Sequence, residues 1–254
     1  MGEPKVSIIT PTFNREQFLP LAHRCFLSQT YPNLEWLVLD DSAVPSAHLR
    51  SVSDPRVRYF HSGERLGIGR KRNRLIAQAA GDIIAQFDDD DFYSPRYIAR
   101  MVARLNEGFD FVKLSGWFLY CVPYRLFGYW DLTIKEGRHY VWSPKEGPPA
   151  VVHVRRTDDA NVANNHLGFG FSYMFRRKVW EATPFSDSVD WNEDAPFAAA
   201  ADRAFRLLHF KDRGGLCLHI LHEGNTSRSF PQYRLPSLAL RWLFPARVKD
   251  YLAS

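Results

Sequence analysis

The sequence contains few cysteines and no long apolar run. Its three cysteines, Cys25, Cys121 and Cys217, are widely separated, and their spacing fits neither a disulfide framework nor a metal site. This usage predicts a reducing compartment. No stretch approaches the roughly 20 apolar residues that cross a bilayer, and residues 1–5 lack the apolar core of a signal peptide. We therefore expect a cytoplasmic protein that is at most peripheral to the inner face of a membrane.

Internal repeats, low-complexity tracts and a strong excess of charge are also missing. The 254 residues are 45% hydrophobic and 15% aromatic, which is ample for the core of one globular unit. The formal net charge of +5 is a modest basic excess that suits anionic small molecules, a phospholipid surface or nucleic acid. Composition alone does not choose among these partners.

Four consecutive carboxylates, Asp88–Asp91, form the most distinctive feature of the chain. They follow the short apolar run Ile83–Phe87, which predicts a buried strand that ends in acid groups. Ligands bind at that edge of open α/β sheets. The mutual repulsion of four negative charges is relieved by solvent, by basic side chains or by a hard divalent cation. A solvated acidic turn is the plainer alternative.

Strands and helices alternate in the first half of the chain. Apolar runs predict strands at Val6–Thr10, Glu35–Leu39 and Val57–Phe60 before the acid-tipped strand. The helical spacing of apolar residues predicts intervening helices, including one at about 70–80 and one over 98–105. Alternation of this kind is typical of right-handed βαβ units, so we predict an α/β fold with a parallel sheet.

The second half is less regular. Residues 120–165 mix aromatics, proline, glycine and charges, which predicts loops with short antiparallel strands. A strand is expected over Phe171–Phe175, followed by a helix from Asn192 whose apolar face extends to Leu208. From Pro236 onward apolar residues alternate with basic ones, and this pattern predicts an amphipathic tail.

A basic cluster begins the helix predicted at residue 70. Arg70–Arg74 contains four cationic side chains behind Gly67 and Gly69, and guanidinium groups at a helix N-terminus favour an anionic ligand. The glycine spacing matches neither the dinucleotide nor the P-loop motif, and a solvated basic face is the alternative. Acidic and basic clusters together indicate a metal that bridges carboxylates and a diphosphate.

Several motifs occur in the order that is typical of one enzyme family. They are Val6–Asn14, Ser28–Pro32, Leu37–Ser42, Arg72–Asn73, Gly81–Ile84 with the Asp88–Asp91 run, Gly170–Ser172, Phe175–Arg177 and Glu193–Asp194. With this set the chain resembles the family 2 glycosyltransferases, enzymes of the hexosyltransferase type. The resemblance is strong over residues 5–107, returns over 168–205, and is weak over 118–165 and after 225.

The resemblance implies a GT-A type fold with a Rossmann-like, mostly parallel central sheet flanked by helices. A smaller mixed sheet is expected on the acceptor side. It also implies a single domain over 1–235, with a nucleotide-binding half at about 1–107 and an acceptor-binding half at about 108–235. The amphipathic tail over 236–254 follows this domain.

The same resemblance implies a donor site at the ends of the first strands. A carboxylate that accepts the ring N–H of uracil is a physical reason for acid groups there. The implied nucleotide-binding residues are Thr10, Pro11, Thr12, Asn14, Asp40, Asp41, Arg72, Asp88 and Asp89. The metal, Mn²⁺ or Mg²⁺, is expected on Asp90, with Asp88 and His222 as further ligands, and four adjacent aspartates leave the register open by one residue. Asp91 is interpreted as a cap of the next helix, and a surface role is the alternative for His222.

Catalysis, on this resemblance, belongs to Glu193 and Asp194. A divalent cation stabilises the charge on the departing nucleoside diphosphate. Asp194 removes the proton of an acceptor hydroxyl, and the attack inverts the anomeric carbon. The alternative for Asp194 is an ordinary helix N-cap. The donor is expected to be a UDP-sugar, with thymidine and guanosine donors left open, and the acceptor is expected to be a glycan or glycolipid.

Other functions are consistent with parts of the pattern. A catalytically silent nucleotide-sugar binding protein needs the same base and metal residues without Asp194, and a nucleotidyltransferase releases pyrophosphate instead of a nucleoside diphosphate. Nucleic acid is not an expected partner, because clustered aspartates repel phosphates. The aromatic residues of the middle segment suit an acceptor platform or core packing. The tail suits an anionic membrane surface, or packing on the body or on a second subunit of a homodimer.

Overall fold

The computed structural model describes residues 2–155, 167–187, 193–225, 228–244, 248 and 252. Within these residues the elements are, in chain order, β1 (Val6–Thr12), α1 (Leu19–Ser28), β2 (Leu34–Asp40), α2 (Ala47–Arg50), β3 (Val57–His61), α3 (Ile68–Gln78), β4 (Ile83–Gln86), β5 (Phe92–Tyr93), α4 (Tyr97–Leu105), β6 (Phe111–Cys121), β7 (Leu126–Asp131), β8 (Gly137–Val141), β9 (Ala150–Val154), β10 (Met174–Arg176), α5 (Arg177–Ala182), α6 (Asp194–Ala204), β11 (Leu207–Lys211), β12 (Cys217–Leu221), β13 (Tyr233–Leu235) and α7 (Ser237–Leu243). None of the described helices has the length and apolar character needed to cross a bilayer.

The chain divides into two compact units, of which the first takes in the described residues of Met1–Asp90, Pro95–Lys113 and Leu167–His209. Here β1 lies between β2 and β4 and runs parallel to both, and β3 continues the parallel order beside β2. β10 is antiparallel to β4 and to the first residues of β6. Every residue of β2 and β4 is buried, as is usual in parallel sheets that helices cover on both faces. The predicted α/β fold with a mostly parallel sheet is confirmed.

The register of this sheet brings the ends of three strands to one edge. Thr12, the last residue of β1, pairs with Asp40, the last residue of β2, and Gln86 ends β4 beside β1. Leu75 and Ile76 of α3 pack into the hydrophobic core of the unit. Polar groups that follow these strands therefore lie at the carboxyl edge of the sheet, where α/β proteins bind ligands.

In two elements of this unit the bounds in the structure differ from the predicted ones. The strand predicted at Phe171–Phe175 is a 3₁₀ turn over Gly170–Ser172 followed by β10, because Phe169 adopts a left-handed φ of 70° that starts the turn. The prediction that the helical face reaches Leu208 is wrong. α6 ends at Ala204, and the chain becomes extended because the carbonyl of Arg206 accepts the N–H of Asp110 (2.9 Å).

The second unit takes in the described residues of Asp91–Ser94, Leu114–His166 and Phe210–Ser254. β6 pairs antiparallel with β7 and parallel with β12, β7 pairs with β13, and β12 pairs with β5. β8 and β9 form a two-stranded antiparallel sheet. The short antiparallel strands predicted for 120–165 are confirmed as far as residue 155. Residues 156–166 lie outside the described residues.

The predicted amphipathic tail begins as α7. Leu240 and the following Phe244 are buried, and the Phe244 ring lies 5.8 Å from the ring centroids of Phe92 and Phe118. Leu238 and Trp242 are exposed. The rest of this prediction, at residues 245–247, 249–251, 253 and 254, lies outside the described residues.

Candidate active site

The polar groups at the end of β1 make hydrogen bonds to neighbouring strands. Thr10 Oγ1 accepts a hydrogen bond from Trp36 Nε1 (2.9 Å) and is fully buried. Thr12 Oγ1 donates to Asp89 Oδ2 (2.5 Å), and Pro11 between them is partly exposed. Thr12 thus links the end of β1 to the acidic run after β4.

Asp40 organises the turn that follows β2. Its carboxylate accepts hydrogen bonds from the N–H and Oγ of Ser42 (2.9 and 2.5 Å) and from the Tyr59 hydroxyl (2.7 Å). Burial, reinforced by the hydrogen bond to Asp40, raises the pKa of Tyr59 well above its ordinary value. Ser42 Oγ accepts the N–H of Asn14 (2.7 Å), whose φ of 54° is left-handed. Two predicted nucleotide-binding residues, Asn14 and Asp40, are therefore joined through Ser42.

Asp41 is a buried carboxylate with three donors. It accepts hydrogen bonds from Lys71 Nζ (2.8 Å), Arg65 Nη1 (2.6 Å) and the N–H of Leu66 (2.7 Å). Burial by itself would raise the pKa of Asp41, but these hydrogen bonds, that of Lys71 foremost, hold it below its ordinary value. Asp41 is therefore an anion in the folded protein.

Lys71 makes specific contacts that the sequence analysis did not identify, because it treated Lys71 only as a member of the basic cluster. Its Nζ donates to the Thr12 carbonyl (2.9 Å) as well as to Asp41, so it links the ends of β1 and β2. Burial lowers the pKa of Lys71, and the charge and hydrogen bond of Asp41 oppose this. Lys71 lies four residues before Leu75 on the buried side of α3, whereas Arg70 is exposed. That spacing is the available signal, because a charge on an apolar helix face requires a partner.

Arg72 forms ion pairs with both members of the predicted acidic pair, Glu193 and Asp194. The contact predicted between Arg72 and a nucleotide stays a prediction. Asp194 Oδ2 also accepts the N–H of Gly170 (2.7 Å), and a Cβ added at residue 170 would collide with that carboxylate. The N-cap alternative for Asp194 is wrong, since Glu193 occupies the cap position of α6 and Asp194 binds Gly170 instead of its own helix.

The carboxylates that follow β4 lie close together. One oxygen from each of Asp88, Asp90 and Asp91 lies within 4.8 Å of the others, and Arg15 Nη2 is 3.7 Å from Asp90 Oδ2. Burial, and then the charge of Asp90, raises the pKa of Asp89 to about 7. Crowded carboxylate oxygens are the donor set of a hard divalent cation. Asp88 and Asp90 therefore fit the predicted Mn²⁺ or Mg²⁺, while Asp89 binds Thr12.

Asp91 is not the helix cap that the sequence indicated. α4 begins at Tyr97, whereas the Asp91 carboxylate accepts the N–H of Ile220 (2.9 Å) and lies 2.9 Å from His219 Nδ1. These partners belong to the second unit, as does His222. His222 Nδ1 accepts the N–H of Gly224 (3.0 Å). Its assignment as a metal ligand stays a prediction.

Lys113 is a second buried cation that the sequence analysis did not single out. It lies on β6 and is fully buried, with its Nζ 5.8 Å from the centroid of the Tyr173 ring. Burial lowers the pKa of Lys113 to about 7, and the charge of Asp194 opposes this shift. The available signal is a lysine within the largely apolar run Phe111–Phe118, because lysine is rarely buried without a reason.

Comparison with known proteins gives a family match and a curated relative. The family model described as Glycosyl transferase family 2 matches residues 7–181. The putative colanic acid biosynthesis glycosyl transferase WcaA of Escherichia coli (strain K12) is 34% identical over 110 residues, which cover 42% of this chain and 39% of WcaA. This chain thus spans less than half of WcaA.

Two solved structures are similar in fold. The crystal structure of S. aureus TarS 1-349 in complex with UDP-GlcNAc has a TM-score of 0.63 and 17% identity, covering 87% of this chain and 60% of the TarS chain. The mannosyltransferase PcManGT from Pyrobaculum calidifontis, in complex with GDP-Man and Mn²⁺, has a TM-score of 0.57 and 21% identity, covering 86% of this chain and 57% of that chain. At these identities the likeness concerns the fold alone.

Proposed function

The chain belongs to glycosyl transferase family 2, and on that premise we propose that it moves a sugar from a nucleoside diphosphate sugar to a hydroxyl group of a glycan or glycolipid. The donor is a UDP-sugar, the reaction uses Mn²⁺ or Mg²⁺, and the anomeric centre is inverted. The observation that carries the proposal is the pair of neighbouring cations on α3. Lys71 binds the strand ends where the nucleotide is expected, and Arg72 binds the acidic pair that includes the expected base.

The donor end of the site offers groups that suit uracil. Asp41 is held as an anion, and a carboxylate accepts the ring N–H of that base. Arg65 forms an ion pair with the Asp41 carboxylate, and its guanidinium carbon lies 3.5 Å from the centroid of the Phe13 ring. The side chain of Arg65 is nevertheless 58% exposed. When the exposed Arg65 side chain moves into solvent, the buried Asp41 carboxylate keeps its hydrogen bonds from Lys71 and the N–H of Leu66. A nucleotide base can therefore displace Arg65 without leaving Asp41 unpaired. The UDP-GlcNAc complex of TarS is in keeping with this donor.

The metal end of the site rests on the acidic run. Asp88 and Asp90 would hold the divalent cation, whose charge offsets the negative charge that develops on the leaving diphosphate. Repulsion from the negative charge of Asp90 contributes to the raised pKa of Asp89. A bound cation would neutralise the charge of Asp90 and so weaken this repulsion. The Mn²⁺ in the PcManGT complex supports the same class of cation.

Asp194 is the general base in this proposal. A carboxylate has about four lone-pair positions, and Arg72 and the N–H of Gly170 use two of them. The side chain of Asp194 is 18% exposed, so an acceptor hydroxyl can approach it. Removal of the hydroxyl proton makes the oxygen a stronger nucleophile for attack on the face opposite the diphosphate. Arg72 and Glu193 position Asp194 through the shared ion pair.

Two further observations support the proposed acceptor and a cytoplasmic location. The name of WcaA refers to the biosynthesis of colanic acid, which is in keeping with the glycan acceptor proposed here. The three cysteines are buried and free, as in proteins of the reducing cytoplasm. The homodimer that the sequence left open stays a prediction.

Thermal unfolding with UDP, GDP, dTDP and CMP, each with and without Mn²⁺, tests the donor site. A ligand at a hundredfold excess over its Kd stabilises the native state by about 2.7 kcal/mol, which raises Tm by roughly 5 °C in a protein of this size. We expect this shift with UDP, only with Mn²⁺, and not in Asp90→Ala. The control Asp202→Ala, at an exposed position of α6, should keep it. If none of the four nucleotides raised Tm, the proposed donor site would be contradicted.

Turnover of Asp194→Asn separates an enzyme from a silent nucleotide-sugar binding protein. The variant should keep the UDP-dependent shift in Tm but lose turnover by about 10²-fold to 10⁴-fold, as is usual when a general base is removed. Unchanged turnover would displace Asp194 as the base. Release of pyrophosphate instead of a nucleoside diphosphate would favour a nucleotidyltransferase.

A further inference from the structure

The helix α7 presents two large apolar side chains to solvent. Leu238 is 64% exposed and Trp242 is 83% exposed. They lie four residues apart, and therefore on the same side of the helix. Leu240 and the following Phe244 are buried, so the packing of these two residues holds the other pair outward. Two large apolar side chains that are exposed next to each other on one helix form a contiguous patch, and contiguous apolar patches mark interaction surfaces.

A basic cleft adjoins the start of α7. A volume of about 430 Å³ is lined by Arg125, Arg234, Tyr140 and Ser237, among others. Arg125 has a left-handed φ of 50° in the turn between β6 and β7, and both arginines are exposed. In the part of the chain that the structure describes, no carboxylate pairs with either guanidinium group. The cleft therefore offers two unneutralised cations to an anionic group.

We propose that this region is a docking surface for an anionic phospholipid bilayer. The α7 surface consists of three exposed apolar or aromatic side chains with three exposed arginines, namely Tyr233, Leu238, Trp242, Arg125, Arg234 and Arg241. Tyrosine and tryptophan favour the interface between lipid and water. A helix with apolar and basic groups lies in the plane of that interface, and lipid phosphates supply the anions that arginines attract.

The charge of the α7 surface argues for lipid over a second copy of the chain. A two-fold contact between copies would bring the same patch, and the same arginines, to both sides of the interface. Like charges at an interface oppose association, whereas an anionic bilayer complements them. The inference goes beyond the proposed function, and its test needs neither nucleotide nor metal, so either can fail without the other.

Co-sedimentation of the full chain with vesicles tests the docking surface. We expect binding to vesicles of equal parts phosphatidylcholine and phosphatidylglycerol, weakened by salt, and little binding to phosphatidylcholine alone. The emission of Trp242 should shift to shorter wavelength on binding. The conservative variant Trp242→Phe should still bind and should lose most of that shift. Equal binding to neutral and anionic vesicles, or binding to neither, would overturn the proposal.

Paired substitutions identify the residues that contact lipid. Leu238→Ser with Trp242→Ser should lower the partition coefficient more than about tenfold, and Arg125→Gln with Arg234→Gln should lower it on the order of tenfold. The controls are Leu27→Ser with Val44→Ser, which are exposed apolar positions of the first unit, and Arg100→Gln with Arg203→Gln, which are exposed arginines there. Both controls should bind as the wild type does.

Two results would assign the α7 surface differently. Vesicle binding that survives both test pairs would place the lipid contact elsewhere and overturn the inference. A concentration-dependent dimer that Leu238→Ser with Trp242→Ser abolishes, in a chain that binds no vesicles, would make the surface a self-association site. Because the substituted side chains are exposed, Tm should be unchanged in each variant, and this is measured alongside binding.

Discussion

The first unit buries the charged groups around its strand ends, whereas the second unit leaves the arginines of the α7 surface exposed. Asp41, Lys71, Arg72 and Glu193 are each at most 4% exposed, and each is in an ion pair. Removal of one member of a buried pair leaves the other uncompensated, which is strongly destabilising. Exposed charges contribute little to stability, because solvent satisfies them.

This difference separates two ways of forming a binding site. In the first unit folding itself orders the polar groups, so the position of the expected base and the stability of the unit depend on the same ion pairs. On the α7 surface solvent satisfies the charges until a partner replaces it. Substitutions should therefore affect stability strongly in the first unit and hardly at all on the α7 surface.

The largest effect on stability is expected from Lys71→Met. The substitution keeps the apolar stem but removes the cation that binds Asp41 and the Thr12 carbonyl. Leaving that buried carboxylate with fewer partners should lower the free energy of unfolding by about 3 kcal/mol, as measured by urea unfolding. Arg70→Met, at the neighbouring exposed position of α3, should change it by less than about 0.5 kcal/mol. Equal effects would remove the distinction between buried and exposed charge.

Gly170→Ala should reduce activity more than stability. The added methyl group would collide with the carboxylate of Asp194, which is the movable end of a side chain, so the carboxylate should shift while the fold survives. A displacement of about 1 Å should lower turnover roughly a hundredfold, with Tm lowered by only a few degrees. Gly63→Ala, where an added Cβ has no neighbour within 4 Å, is the control. A variant with full turnover would show that the position of Asp194 is not critical.

The strands around the candidate site were predictable from local sequence. β2 and β4 are buried along their lengths, and β1 is buried at every position except Pro11. Buried strands of this kind are recognised in a sequence as short apolar runs between polar turns. The acidic run after β4 is conspicuous because its charged residues directly follow such an apolar run. The ion pair of Arg72 with Asp194 was not predictable, because the two residues are 122 positions apart in the chain and neither carries a local sign of the other.

The errors in prediction come from long-range contacts that override a local pattern. Leu208 continues the helical spacing of α6, but the carbonyl of Arg206 accepts the N–H of Asp110 and the helix has ended. The amphipathic pattern of the tail stays a prediction, but it does not tell which apolar side chains pack inward: Leu240 is buried, whereas Trp242 is exposed. Hydrophobicity does not decide exposure, because much of any protein surface is apolar.

Lys113→Met should change how the stability of the first unit depends on pH. Burial lowers the pKa of Lys113 in the folded protein to about 7, while the unfolded chain keeps the ordinary value near 10.4. Between these values only the unfolded state carries the proton, so the free energy of unfolding should rise with pH. As the pH falls from about 10 to about 7 this stability is lost, and below about 7 both states carry the proton. The contribution is at most about 1.4 kcal/mol per pH unit.

Urea unfolding of wild type and Lys113→Met across this range isolates the contribution of Lys113. The free energy of unfolding of the wild type should rise relative to that of the variant from about pH 7 to about pH 10. Lys145→Met, at an exposed position, should follow the wild type. Parallel curves for wild type and Lys113→Met would mean that Lys113 stays protonated in the folded protein.

The smallest effect on stability is expected from Arg125→Gln with Arg234→Gln. Water solvates both guanidinium groups in the free protein and also solvates the amides that replace them, so the free energy of unfolding should stay within about 0.5 kcal/mol of the wild type. Glutamine keeps a side chain at residue 125, where φ is left-handed, so the backbone strain there is unchanged. A loss of stability comparable to that of Lys71→Met would mean that the protein itself satisfies these arginines. Arginines that the fold already pairs are not available to lipid phosphates. The urea titration that compares buried with exposed charges therefore also tests whether the arginines of the α7 surface are free to bind a bilayer.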